Sequence, residues 1–466
     1  NTLLLKSQNQ QHGRGFSCRP VSETRLTELL VEYAGEGRMD NIQKIVENTE
    51  ALDLNKEIGP GLSAVEWAKV HGRKAVVDYL VKKGASSEIN LPPKENIIDY
   101  IFNKVVKKNY PGAALLLSKD GDLILETGYG LANIEKQKEI TSETTFRIGS
   151  VTKQFTASAI LKLWEEGKLS LDDPLSRYIP DFPRGDEVTI HHLLTHTSGI
   201  HSYTSENDFM DHVKDLISEK KLIEKIKSFE YDFEPGEKWQ YNNSGYFLLG
   251  YIIEKITGEP YETFWRREFF KPLDMENTGV YRKGLDLKNE AIGYSFTDNE
   301  VEVAVDWDMS HAGGAGNLYS NVHDLYKWNE NLFNGEVLSA ESMERAFTPV
   351  KLNSGEVAST YGSHYGYGWG IRDFRGLKVI GHGGGLHGFS TYLCRFTDLD
   401  VTVAIIANCV PTIPGMNPEQ MSMEVAQIYF WEQMKEQESY VEQKIDTTIL
   451  QDYVGRYDYG NAVLTV

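Results

Sequence analysis

Two apolar periods run along the chain, and the places where one gives way to the other outline its elements. Val76, Val77, Leu80 and Val81 recur at helical spacing. Ile97, Ile98, Ile101 and Val105 do the same and predict an amphipathic helix over 96–109. The period then shortens to that of a strand. Residues 112–117 are apolar, Lys119-Asp120-Gly121-Asp122 is a turn, and 123–129 answer it, which predicts a hairpin. A β-like run over 144–148 meets Gly149, and from Ser150 an apolar helical pattern continues to about Gly167. A charged helical pattern over 205–230 predicts a surface lobe. Further helices are expected over about 247–256, after the Gly-rich turn His311-Ala312-Gly313-Gly314-Ala315-Gly316, and over 421–434. Residues 390–396 and 401–407 read as strands that the last helix could cover.

Breaks in these patterns divide the chain. Residues 1–25 are polar and without period, and read as a tail. Gly37-Arg38-Met39-Asp40-Asn41-Ile42 can be laid over Gly72-Arg73-Lys74-Ala75-Val76-Val77. Together with Gly61-Leu62-Ser63-Ala64 and the closing Gly84-Ala85, segment 26–90 resembles about two ankyrin repeats. Such units bind proteins, so the resemblance implies a possible protein partner; a purely structural N-terminal cap is the equal alternative. Leu91-Pro92-Pro93 is a linker signal. One large domain is expected over 91–440. Over 441–466 a linker leads into a β-like segment, Tyr453-Val454-Gly455-Arg456-Tyr457, which reads as the start of a truncated C-terminal β domain.

Composition narrows the function. With 40% hydrophobic and 25% charged residues the chain has an ordinary globular make-up. The net charge of -20 argues against nucleic acid and against an anionic membrane surface. No apolar run reaches the roughly 18 residues of a membrane helix. Residues 2–5 are too short for a signal-peptide core, and no compartment is assigned. Three cysteines, Cys18, Cys394 and Cys409, form neither a disulfide framework nor a metal spacing. His191, His192 and His196 invite a metal reading, but adjacent residues cannot share a helix face, so no metal and no cofactor are expected.

The chemistry centres on Ser150 and Lys153. Three residues apart, they share one helix face, and a serine beside an amine one turn away is a candidate activated nucleophile. The pattern alone is weak. At roughly 7% usage of each residue, about two copies of Ser-x-x-Lys arise by chance in such a chain. A second copy does occur, Ser218 to Lys221, in a charged run with no strand before it and no apolar helix after it. Context selects Ser150.

Two later motifs complete the pattern: Tyr241-Asn242-Asn243, preferred over Tyr319-Ser320-Asn321, and His382-Gly383-Gly384 followed by Gly385. In this order, over roughly 96–440, the three motifs resemble the serine β-lactamase and penicillin-binding superfamily. The resemblance is to the branch of AmpC-type β-lactamases and serine esterases. It implies an α+β fold, an antiparallel sheet flanked by helices beside an all-helical lobe, with the site between them. It also implies that the backbone N–H groups of Ser150 and Gly385 bind the oxyanion, with Gly384 beside them. From residue chemistry, burial would lower the Lys153 pKa. Nearby cations would lower that of Tyr241, making it the base for Ser150. Asn243 would orient Lys153. His382 replaces the lysine of Lys-Thr-Gly, and imidazole offers a substrate carboxylate no permanent charge. Tyr365, Tyr367, Trp369 and Phe389 are candidate walls of the acyl pocket, and His387 is a weaker site candidate.

These observations predict a serine hydrolase acting through an acyl-enzyme on a small ester or on a D-amino-acid-type amide or peptide. The alternatives are a β-lactamase or penicillin-binding D,D-peptidase, and a catalytically silent binding protein that uses the ankyrin-like segment.

Overall fold

The computed structural model describes residues 22–438 other than 51 and 361, and the backbone of 456–458 and 463–465. Most of the expected tail, Cys18 and most of 441–466 lie outside the described residues; Arg456–Asp458 pairs antiparallel with Val463–Thr465. The chain divides into two compact units, Asn1–Pro93 with Trp431–Val466, and Lys94–Phe430. Residues 431–438 therefore group with the first unit, where the expected domain had placed them with the second. There the Gln437 N–H donates to the Gly72 carbonyl at 2.8 Å, and the Lys69 ammonium lies 5.7 Å from the Trp431 ring.

The first unit holds helices Glu23–Glu36, Met39–Asn48, Ala64–Val70 and Lys74–Lys82. Leu30, Ala34, Ile42, Ala68, Val76 and Leu80 form its core. The internal repeat takes the form of two helix pairs, each turned by a Gly-Arg step. Gly37 (φ 78°) and Gly72 (φ 68°) adopt the left-handed conformation that lets a helix end and the next begin within two or three residues.

The second unit is built on one seven-stranded antiparallel sheet. Its strands are β1 (Ala113–Lys119), β2 (Asp122–Tyr129), β3 (His364–Tyr365), β4 (Gly370–Phe374), β5 (Leu377–Leu386), β6 (Phe389–Phe396) and β7 (Val401–Ala407), in the order β3-β4-β5-β6-β7-β1-β2. The first hairpin turns at Asp120 (φ 52°) and Gly121 (φ 79°), where the sequence placed it. β1 pairs with β7, Ala113 opposite Ala407, so strands near the two ends of the unit lie side by side.

The central strands β1, β6 and β7 are buried along nearly their whole length because both faces are covered. The helices are α1 (Lys94–Val105), α2 (Thr152–Glu165), α3 (Asn243–Thr257), α4 (Val322–Phe333) and α5 (Pro418–Phe430). On one face Glu330 of α4 meets Ser118, Arg395 and Thr402 from β1, β6 and β7. On the other, Glu419 of α5 pairs with Arg372 of β4 at 2.7 Å, beside Tyr392. Residues 130–363, between β2 and β3, supply the helical part that carries α2, α3 and α4. Phe155 of α2 stacks on Trp328 of α4 and edges onto Phe270, which locks the start of α2 into the core. This is the expected α+β arrangement of sheet, flanking helices and helical lobe.

Candidate active site

Two glycines let the chain bring Ser150 against the sheet. The β-like run before it shortens to Phe146–Arg147, which pairs with Tyr319–Ser320. Gly149 (φ 52°) then turns the chain, and Gly149–Val151 forms a short 3-10 turn ahead of α2. A Cβ on Gly149 would stand 2.9 Å from the Gly385 nitrogen, and one on Gly384 would collide with the Ile148 carbonyl. β4 reaches β5 only as far as Gly381, opposite Gly370. Residues 382–386 therefore pair with β6 alone, leaving their other side for the Ile148–Ser150 turn and the cavity next to it.

Lys153, on the first turn of α2, is fully buried. Its Nζ lies 3.1 Å from Ser150 Oγ, 2.8 Å from Asn243 Oδ1 and 2.8 Å from the Ala315 carbonyl oxygen. Asn243 Nδ2 donates to Thr204 Oγ1 at 2.9 Å, which fixes the amide so that Oδ1 faces the lysine. Ser202 Oγ accepts the Asn243 backbone N–H. Burial pushes the Lys153 ammonium well below the usual lysine range.

Tyr241 sits over this group, its ring centroid 4.8 Å from Lys153 Nζ and its hydroxyl near enough to Ser150 to interact with it. The expectation that neighbouring cations lower its phenol is overturned. Burial raises it, and the interaction with Ser150 offsets only part of that rise. The physical reason is that the two expected cations are themselves desolvated. His382 is buried, and burial, then the Lys153 charge, takes its imidazole down to about 3.

The His382 tautomer follows from its partners. Nδ1 faces the Gly383 carbonyl at 2.5 Å, an obligate acceptor, so Nδ1 carries the proton. Nε2 then accepts from the Tyr365 hydroxyl at 2.8 Å. Both ring nitrogens are engaged within the protein. His196, which the sequence singled out only to reject a metal, is also here. Its ring centroid lies 4.5 Å from that of Tyr241 and 4.6 Å from that of Tyr365, and Nδ1 accepts the Asn242 N–H at 3.1 Å. With Thr204 and Glu206, it is one of the residues at this site that sequence reasoning missed. The available signal was its position in a Thr-His-Thr-Ser-Gly run that ends a five-residue helix, Ile190–Leu194.

A cavity of about 350 Å³ opens beside Ser150. Asn243, Gly385 and His387 line it together with Tyr203, Phe209, Trp307 and Leu386. Of the four expected wall residues, Tyr365 reaches the site through His382, and the other three do not line this cavity. Tyr367 bonds His191, Trp369 packs against Phe347, and Phe389 lies in the core beside the Arg147 guanidinium. Both decoy motifs turn out to be helix caps. Ser218 Oγ accepts the Lys221 N–H to start helix Glu219–Lys227, and Asn321 Oδ1 accepts the Asp324 N–H to start α4.

A buried lysine amine beside a serine, inside this sheet-and-lobe fold, defines a serine hydrolase of the β-lactamase and transpeptidase class. Residues 97–427 match the family described as Beta-lactamase, and the chain belongs to it. It is 29% identical over 387 residues to penicillin-binding protein 4* of Bacillus subtilis (strain 168), covering 78% of this chain and 83% of that protein. Among solved structures, the octameric penicillin-binding protein homologue from Pyrococcus abyssi superposes with a TM-score of 0.63 at 30% identity, over 78% of this chain and 82% of that one. A D-stereospecific amidohydrolase from a Streptomyces species gives 0.60 at 28% identity, over 72% and 98%.

Proposed function

We propose that Ser150 is the nucleophile of an acyl-enzyme mechanism whose substrates are D-amino-acid-type amides, short peptides or small carboxylic esters. The observation that carries this reading is the coordination of Lys153 Nζ. A neutral amine has two N–H bonds and one lone pair. Asn243 Oδ1 and the Ala315 carbonyl can only accept, so they take the two N–H bonds. The lone pair is left facing Ser150 Oγ, in position to take its proton as the oxygen attacks the substrate carbonyl.

Tyr241, kept protonated by burial and facing Ser150, is placed to hand a proton to the leaving amine or alkoxide. The backbone N–H groups of Ser150 and Gly385 receive the oxyanion, since both residues line the cavity and Gly385 has no side chain to obstruct it. His382, neutral and bonded on both nitrogens, holds Tyr365 and the 382–386 edge in place.

Glu206 favours an amino-acyl substrate. It is the acidic residue lining the cavity, and it shares one imidazole, His201, with Asp232. A single imidazole cannot offset two carboxylates, so negative charge remains for a substrate ammonium. Related penicillin-binding proteins support a second reading, acylation by β-lactams.

A fluorophosphonate probe with mass mapping tests the nucleophile. The expected result is label on Ser150 and loss of p-nitrophenyl ester and D-amino-acid amide hydrolysis in Ser150→Ala. Unchanged turnover in that variant would sink the proposal. Faster turnover of a chromogenic cephalosporin than of either substrate would favour the second reading.

A further inference from the structure

A second cavity, of about 540 Å³, lies behind the turn that holds Lys153. Gly313, Gly314 and Asn317 line it, while Ala312, Ala315 and Gly316 line the cavity beside Ser150, so segment 312–317 is a wall between the two. Glu219, the first residue of helix Glu219–Lys227, and Glu254 of α3 both line the second cavity. Among the described residues neither carboxylate is in an ion pair, although Glu254 Oε1 accepts the Tyr261 N–H at 3.1 Å, whereas Glu262 on the same wall is bound by Arg282 at 2.5 Å. Burial and the nearby Glu254 charge push Glu219 up to about 7, against the smaller opposing pull of Lys255.

Asn317 supplies an independent observation. It is only 3% exposed, and its Nδ2 donates to the Tyr261 hydroxyl at 2.5 Å. Its Oδ1 is buried with no hydrogen-bond partner. Leaving such an acceptor unmet is unfavourable, so a donor arriving in this cavity has something to gain. Every polar group named here as unmet is an acceptor. Among the described residues no three His, Cys, Asp or Glu side chains converge closely enough to hold a metal ion. Phe247, Val280, Met309 and Leu216, which is 81% exposed, supply apolar lining, and the two basic side chains on the wall are Arg282, which is bound to Glu262, and Lys283.

We propose that this cavity binds an organic ammonium on a short aliphatic stem, its N–H groups taken by Glu219, Glu254 and Asn317 Oδ1 and its stem by the apolar lining. Occupancy is coupled to Ser150 through the shared wall. The Ala315 carbonyl holds Lys153, and the Gly314 carbonyl accepts from Thr156 of α2 at 2.6 Å, so a ligand that pulls on Asn317 and 313–314 acts on the segment that orients the amine. The coupling rests on the role given to Lys153 above; the binding does not.

Calorimetric titration of the full-length Ser150→Ala protein separates the two. The probes are 1,5-diaminopentane, as a free amine, and N-acetyl-lysine methylamide, standing for a peptide side chain. The expected result is one saturable site for at least one probe, and whichever binds identifies the source. Affinity should fall at least tenfold in the near-isosteric Glu219→Gln/Glu254→Gln variant. It should also fall, less steeply, in Leu216→Ser, whose exposed position leaves folding undisturbed.

Binding should release protons near pH 7, because the ammonium draws Glu219 back towards ionisation. The other charged or titratable groups around it are Glu254, Glu262, Asp308, Arg282, Lys283, Lys255, Tyr261 and Tyr281. No saturation by either probe, or equal affinity in the double variant, overturns the site. In wild-type protein the binding probe should change kcat for a p-nitrophenyl ester without competing with it. Saturable binding that leaves kcat unchanged overturns the coupling.

Discussion

At the residue scale the site is governed by desolvation more than by charge pairing. The same burial that lowers Lys153 also lowers His382 and raises Tyr241, so the charged form of each is disfavoured. This has a consequence for acid stability. His382 has an ordinary value of 6.5 and a folded value of about 3. Between those limits the unfolded chain binds more protons than the folded one, so stability present above pH 6.5 is lost as pH falls through that window. Replacing His382 by Asn keeps a donor for the Gly383 carbonyl but removes the titration. Denaturation at pH 6.5 and about pH 4 should show wild type losing roughly 2–3 kcal/mol more than His382→Asn, the other histidines cancelling between the two. Equal losses would refute the assignment. A second prediction concerns Glu206. Glu206→Gln should raise KM for a D-amino-acid amide about tenfold and leave p-nitrophenyl acetate unchanged, because only the amide substrate carries an ammonium. Steady-state kinetics on the two substrates checks it. The sequence made Ser150, Lys153, Tyr241 and Asn243 legible because their spacing and flanking pattern are local. It could not show His196, or the direction of the Tyr241 shift, since both depend on what the fold buries beside them.

At the element scale the glycines of β5 divide into two kinds that sequence cannot separate. Gly384 is a packing position, because a Cβ there would meet the Ile148 carbonyl, whereas a Cβ on Gly385 would meet nothing within 4 Å. Gly384→Ala should therefore lower Tm by several degrees and reduce kcat/KM on esters about a hundredfold, by forcing β5 away from the Ser150 turn. Gly385→Ala should leave Tm within about a degree and affect only catalysis, since the added methyl projects into open space at the cavity. Thermal melts paired with ester kinetics distinguish the two, and equal losses of Tm in both variants would contradict this account. The element boundaries show a similar limit on legibility. α3 begins at Asn243, several residues before its apolar stretch, because Asn242 Oδ1 caps it through the Gly245 N–H at 2.8 Å. The chance Ser-x-x-Lys and Tyr-x-Asn copies are caps for the same reason. Small polar residues suit helix starts as well as they suit active sites, so motif matching confuses the two.

At the scale of the whole molecule, every group assigned to catalysis lies between Gly149 and Gly385, inside the unit Lys94–Phe430. That unit has a core of its own. It runs from Ala114 and Leu116 of β1 through Phe155 of α2 to Ile406 of β7, while the helices before Pro93 close around Leu30, Ala34, Ile42 and Val76. The two ends of the hydrolase unit also meet each other. Lys94 Nζ donates to the Tyr429 carbonyl at 2.9 Å, and the Tyr429 hydroxyl donates to Glu95 at 2.9 Å, so α1 and α5 tie the unit shut where the chain enters and leaves it. A unit with its own core and closed ends should fold alone. A fragment of residues 94–430 should therefore unfold cooperatively and hydrolyse p-nitrophenyl esters with kcat/KM within about threefold of the full chain. A fragment ending at 428, which removes Tyr429 and with it both α1–α5 ties, should be measurably less stable, since each lost hydrogen bond costs about 1 kcal/mol. If the 94–430 fragment is folded by circular dichroism yet inactive, catalysis needs the N-terminal helices, and the ankyrin-like segment would have to be assigned a part in the reaction instead of a partner-binding or capping role.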